Sequence, residues 1–127
     1  MIQPILAGAA RPFADRRVFL ALIAAYAILQ FALRVAVSPS LGRDELIEAI
    51  IAQGWALGYN PTQPPLYTWL IVGASEIFGP GVPAQSLVKF GCLYLAHLFF
   101  FLAAERAIGN SYLAALATAS WMLTYML

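Results

Sequence analysis

Charge is what this sequence has least of. Of 127 residues only 10% are Asp, Glu, Lys or Arg, against about a quarter in an ordinary soluble domain. Seven basic and six acidic side chains leave a formal net charge of +1, which gives nucleic acid no electrostatic footprint to bind. A single cysteine, Cys92, excludes an internal disulfide framework and a cysteine-rich zinc site. There is no internal repeat, no low-complexity tract and no glycine-rich phosphate loop. What is abundant is apolar surface: 62% of the residues are hydrophobic and the mean hydropathy is +0.79. That balance excludes disorder and places the chain among integral membrane proteins.

The apolar residues fall into runs. Residues 1–17 carry Arg11, Arg16 and Arg17 against one acid, Asp15, and read as a cytoplasmic N-terminal segment because basic residues stay on the cytoplasmic side. Residues 18–127 read as the membrane domain. Its first run, 18–37, is interrupted by Gln30 and Arg34 alone. At about 1.5 Å per residue it crosses a hydrocarbon core of roughly 30 Å. That length, and Pro39 after Ser38, weigh against a cleaved signal peptide. Further spans are expected at 65–83, 87–105 and 111–127. The fold class is therefore all-α and polytopic, with about four transmembrane helices. The second span is the weakest, since 65–78 is short, contains Glu76 and is extended only through Gly79 to Pro83. If it merely dips into the bilayer, the later two helices invert. The last run is still apolar at Leu127, as expected of a fragment.

Residues 38–63 differ from everything around them. They hold Arg43, Asp44, Glu45 and Glu48, punctuated by Pro39, Gly42, Gly54, Gly58 and Pro61. Within them 44–57 reads as a helix, with Leu46, Ile47, Ile50, Ile51 and Trp55 as a broad apolar stripe and Gly58 as its stop. Such a helix suits the extracytoplasmic membrane surface, with Trp55 at headgroup level. Asp44 and Glu45 open it, where the helix dipole favours negative charge. An ionised carboxylate there is a candidate general base toward a hydroxyl or amine. Glu48 lies four residues after Asp44 on the same face, and three acids so close could also hold a divalent cation. The plainer alternative is a solvated loop whose acids cap its helix.

The stretch Pro61-Thr62-Gln63-Pro64-Pro65-Leu66-Tyr67-Thr68-Trp69-Leu70 follows. Two adjacent prolines suit the first positions of a helix, and Tyr67 and Trp69 suit the interfacial belt. Elsewhere, Arg34 either snorkels from the last turn of the first span or meets a lipid phosphate. Arg43 pairs either with its acidic neighbours or with a donor phosphate. His97 lies mid-span and reads as a neutral imidazole bonded to another helix rather than a ligand. Glu76 is expected to face water or a partner helix, Cys92 to be packing, and Glu105-Arg106 to be a solvated helix end.

Taken together, Asp44-Glu45, an amphipathic surface helix and the Gln63-Pro64-Pro65-Leu66-Tyr67 entry resemble the N-terminal part of the GT-C-type membrane glycosyltransferases. These use polyprenyl-phosphate sugars and include protein mannosyltransferases, lipid A aminoarabinose transferases and lipopolysaccharide-core transferases. The resemblance covers nearly all of this chain and a third or less of a full family member. It implies transfer of a sugar from a lipid-phosphate donor to an extracytoplasmic acceptor, in the inner membrane. It makes Asp44 the catalytic base and Glu45 its neighbour orienting substrate or metal. Arg43, Glu48, Gln63, Pro64, Pro65 and Tyr67 would line the substrate cavity. Membrane lipids and the remainder of the enzyme, or another membrane subunit, would be its partners, and the chain alone is expected to be inactive. Two other readings stand beside it: a small non-catalytic membrane protein that binds a partner, and a piece of a lipid carrier or transporter.

Overall fold

The computed structural model describes residues 15–59 and 64–126, with side chains to residue 123. Within them the chain is helical: α1 (Arg16–Val37), α2 (Arg43–Ile51), α3 (Leu66–Phe78), α4 (Val82–Ile108) and α5 (Ser111–Met126), and no strand occurs among the described residues. The expected all-α class is observed. Most of the expected N-terminal segment, and Gln63, lie outside the described residues.

Local chemistry explains the boundaries. Asp15 starts α1 by accepting the Arg17 backbone N–H at 2.8 Å, a side-chain cap of the kind that satisfies free N–H groups at a helix start. Asn110 starts α5 in the same way, accepting from Tyr112 and Leu113 at 3.0 and 3.2 Å. Gly79 and Gly109 end α3 and α4 at φ of +77° and +69°, a conformation that side chains with a Cβ rarely adopt. Pro83 is the second residue of α4, where its missing N–H is harmless. Within the expected span 65–83 the helix α3 ends at Phe78, and Val82 and Pro83 already belong to α4, which extends beyond 87–105 at both ends.

The surface helix is also shorter than expected. It stops at Ile51 rather than 57, because the following residues make tertiary bonds instead. The Tyr59 hydroxyl donates to the Gly54 carbonyl at 2.7 Å and accepts the Ala56 N–H at 3.0 Å. The Trp69 indole donates to the Ala56 carbonyl at 2.8 Å. Gly54 adds a helix penalty of about 1 kcal/mol. Trp55 thus leaves the apolar stripe and reaches α3.

Two helices, α1 and α4, are long and apolar enough to cross a membrane, at 22 and 27 residues. The helices α3 and α5 are apolar but shorter; the 13 residues of α3 span only about 20 Å.

The chain divides into two compact units. In the first, residues 15–26 and 93–126, the start of α1 packs beside the end of α4. Phe19 meets Phe101 with ring centroids 5.0 Å apart, over a core that includes Ile23, Ala114 and Ala115. His97 is buried, bonded through Nδ1 to the Leu93 carbonyl of its own helix at 2.7 Å, with its ring tilted against Trp121 of α5 at a centroid distance of 4.8 Å. Its hydrogen bond therefore stays within α4, where one to another helix was expected. Glu105 is no solvated end: it accepts from Ser111 at 2.6 Å and pairs with Arg16 at 3.6 Å.

The second unit, residues 27–92, holds α2, α3 and the adjoining ends of α1 and α4. Its core is Ala52, Ile71, Val72, Ala74, Ala84 and Val88, with Cys92 and Tyr59 packed against it. Leu46, Ile47 and Ile50 of α2 are exposed. This unit contains the acidic segment.

Candidate functional site

The site is organised around Glu45, the third residue of α2. Its carboxylate reaches back to the Gly42 N–H at 3.0 Å, which is the carboxylate half of a capping box. The same oxygen accepts from the Arg34 guanidinium at 2.6 Å, and the other lies 3.7 Å from the Lys89 ammonium. The Glu45 backbone carbonyl accepts from the Gln85 side-chain amide at 2.6 Å. Burial alone would raise the Glu45 pKa; the Gly42 N–H, the Arg34 hydrogen bond and charge, and the Lys89 charge outweigh it and hold the carboxyl below its ordinary range. Glu45 is thus ionised and fully engaged.

Arg34 is held by protein partners. Besides Glu45 it donates to the carbonyls of Ser38 at 2.9 Å and Ser40 at 3.0 Å, folding the last turn of α1 back over the link to α2. Gln85 is 3% exposed, and burying an amide is costly unless it is bonded. The end of α1 and the first turns of α4 therefore converge on one residue of α2.

Asp44, next to this anchor, is exposed and makes no side-chain hydrogen bond or ion pair among the described residues. It is the second residue of α2, where backbone N–H groups and the helix dipole favour an anion. A free carboxylate on a braced helix start is able to accept a proton from an approaching hydroxyl. Arg43 is likewise exposed and without an ion pair among the described residues, so of its two expected roles the pairing with neighbouring acids is not seen there.

Glu48 turns away from the pair and accepts from the buried Thr68 hydroxyl of α3 at 3.2 Å. No group of three Asp, Glu, His or Cys side chains able to hold a metal gathers among the described residues: Glu45 and Glu48 have separate partners and Asp44 has none there. Pro64 and Pro65 precede α3, Pro65 occupying its cap position, and Tyr67 is exposed in its first turn. The structure thus brings Glu45 together with Arg34, Gln85 and Lys89, and Glu48 together with Thr68. Sequence reasoning missed Gln85 and undervalued Arg34 and Lys89. The available signal was their sign: two cations inside apolar runs, flanking a segment rich in acids.

Over 98 residues the chain is 40% identical to the lipopolysaccharide core galacturonosyltransferase RgtB of Rhizobium johnstonii, which covers 77% of this chain and 20% of that protein. It is 35% identical over 94 residues to the lipopolysaccharide core galacturonosyltransferase RgtA of the same organism, covering 74% and 19%. The chain is similar to glycosyltransferases. The match spans about one fifth of the length of these curated relatives. A 98-residue match leaves 29 of the 127 residues uncovered; wherever it begins, it includes Asp44, Glu45 and the Pro64-Pro65 pair. No protein-family model matches the chain, and no solved structure does.

Proposed function

We propose that this chain is the base-bearing portion of a membrane glycosyltransferase of GT-C type, which moves a sugar from a polyprenyl-phosphate donor to an extracytoplasmic acceptor. The relatives' names suggest a uronic acid as the sugar and a lipopolysaccharide core as the acceptor. The observation that carries this reading is Asp44, unpaired among the described residues, beside the fully engaged Glu45 at one helix start, inside the region shared with the galacturonosyltransferases.

In this mechanism Asp44 takes the proton of an acceptor hydroxyl as that oxygen bonds to the anomeric carbon. The bond between that carbon and the phosphate oxygen breaks, and polyprenyl phosphate leaves with the electron pair. Arg43, free of ion pairs, and Lys89, whose side chain is 55% exposed, are the nearby cations suited to a departing phosphate. Glu45 acts on Asp44 through the backbone, as a positioning residue.

The same reading carries a topology. The end of α1 and the start of α4 meet at Glu45, so both lie on one side of the membrane. The helices α1 and α4 cross, while α2 and the short α3 lie together at the outer surface, in place of a span through residues 65–78. The N-terminus is then cytoplasmic, and the acidic segment faces out. Residues 18–127 form one membrane domain on this view.

A chimaera tests the function. The matched 98 residues of RgtB are replaced by those of this chain, and membranes are assayed for transfer of galacturonic acid to lipopolysaccharide core. Transfer at a rate within about tenfold of the parent supports the reading. A well-expressed chimaera with no transfer contradicts it.

A further inference from the structure

A cavity of about 360 Å³ lies between the end of α2, the loop after it and the second half of α3, lined by Ala52, Gln53, Trp55, Val72, Ser75 and Glu76 among others. It is at the far end of α2 from Asp44, and its volume falls at the lower end of small-ligand sites.

Trp55 is fixed but not covered. Its indole N–H donates to Glu76 at 2.6 Å, and its ring edge rests over Gly73, where an added Cβ would lie 3.9 Å from the ring. Yet the residue is 61% exposed. A large aromatic held in place with an open face, beside unspent hydrogen-bonding groups, has the makings of a recognition surface. The side chains of Gln53 and Ser75 make no hydrogen bond among the described residues. Glu76 keeps a second oxygen and further acceptor capacity.

We propose that this cavity is a subsite for an uncharged pyranose ring. The partly positive C–H face of a sugar suits the negative face of the indole. Its hydroxyls can donate to Glu76 and exchange hydrogen bonds with Gln53 and Ser75. Among the described residues the only charged side chain in the lining is Glu76, so a uronate or a sugar phosphate is repelled. In the glycosyltransferase reading, on which this last assignment alone rests, the ligand is a neutral sugar of the acceptor and not the transferred acid.

The test is binding, not turnover. The chain in lipid nanodiscs is titrated with methyl β-galactopyranoside and with its 6-carboxylate analogue, and ligand-observed saturation-transfer NMR reads the contact. Saturable binding of the neutral glycoside is expected, with the carboxylate at least tenfold weaker at pH 7. Trp55→Ala should weaken it at least tenfold. The exposed Gln53→Ala should weaken it severalfold, with the helical circular dichroism unchanged. Asp44→Asn should leave binding as it is, which separates this subsite from the proposed chemistry. Absence of saturable binding overturns the proposal. So does binding indifferent to both Trp55→Ala and Gln53→Ala, or equal affinity for the carboxylate.

Discussion

At the scale of single residues, two adjacent carboxylates have been given different work by their surroundings. The charge of Glu45 is balanced by Arg34 and Lys89 and its carboxylate tied to Gly42, whereas Asp44 has no partner among the described residues. Because the Glu45 pKa is depressed in the folded protein, its contribution to stability is present above its unfolded value of about 4.3. It is lost as pH falls through the lower folded value. Melting temperatures in detergent should therefore fall as pH drops below about 4.3, and Glu45→Gln should flatten that slope; equal slopes in the two proteins would remove Glu45 from this role. Arg34→Met removes a charged hydrogen bond to Glu45 and two to backbone carbonyls. A loss of roughly 2 kcal/mol is expected, on the scale of bonds to charged groups, read from the same melts. A change under about 0.5 kcal/mol would mean the contacts contribute little beyond an ordinary surface ion pair.

At the scale of elements, the surface helix and the short α3 form one polar-edged layer. Thr68 meets Glu48, Trp69 meets Ala56 and Trp55 meets Glu76, so the chain after α2 runs along α3 rather than parting from it. Single cysteines at Tyr67, Leu70 and Ile77, in a Cys92→Ser background, should all react with a membrane-impermeant maleimide from the outer side. Labelling from opposite sides at Tyr67 and Ile77 would show α3 crossing instead. Much of this layer was legible from residue order: the Asp44-Glu45 helix start, the exposed apolar face of Leu46, Ile47 and Ile50, and the proline entry to α3. The end of α2 was not, because periodicity assigned Trp55 to the stripe while its actual place is decided by Glu76, twenty-one residues away. Gln85 was hidden for the same reason. A lone amide in an apolar run carries no signal until folding sets it 2.6 Å from the Glu45 carbonyl, and no local pattern encodes a contact across forty residues.

At the scale of the whole molecule, composition announced a helical membrane protein, and two helices meet the length and hydropathy a crossing requires. Composition cannot tell a helix that crosses from one that lies in the interface; the convergence of α1 and α4 on Glu45 is what supports the proposed two-crossing arrangement. The region matched in the galacturonosyltransferases is about one fifth of their length. The chain by itself is therefore expected to show no measurable sugar transfer from a polyprenyl-phosphate donor, and turnover by the purified chain would refute the need for further protein. The most direct measurement is the rate of transfer by the RgtB chimaera carrying Asp44→Asn, beside Glu48→Gln and donor binding in the same membranes. Asparagine keeps the size of the side chain but accepts no proton at neutral pH, so a fall on the order of 10² to 10⁴ is expected, with donor binding retained and Glu48→Gln within about threefold of the parent, as for a lost surface charge. Near-full activity with Asp44→Asn, or an equal loss with Glu48→Gln, would contradict a base at Asp44.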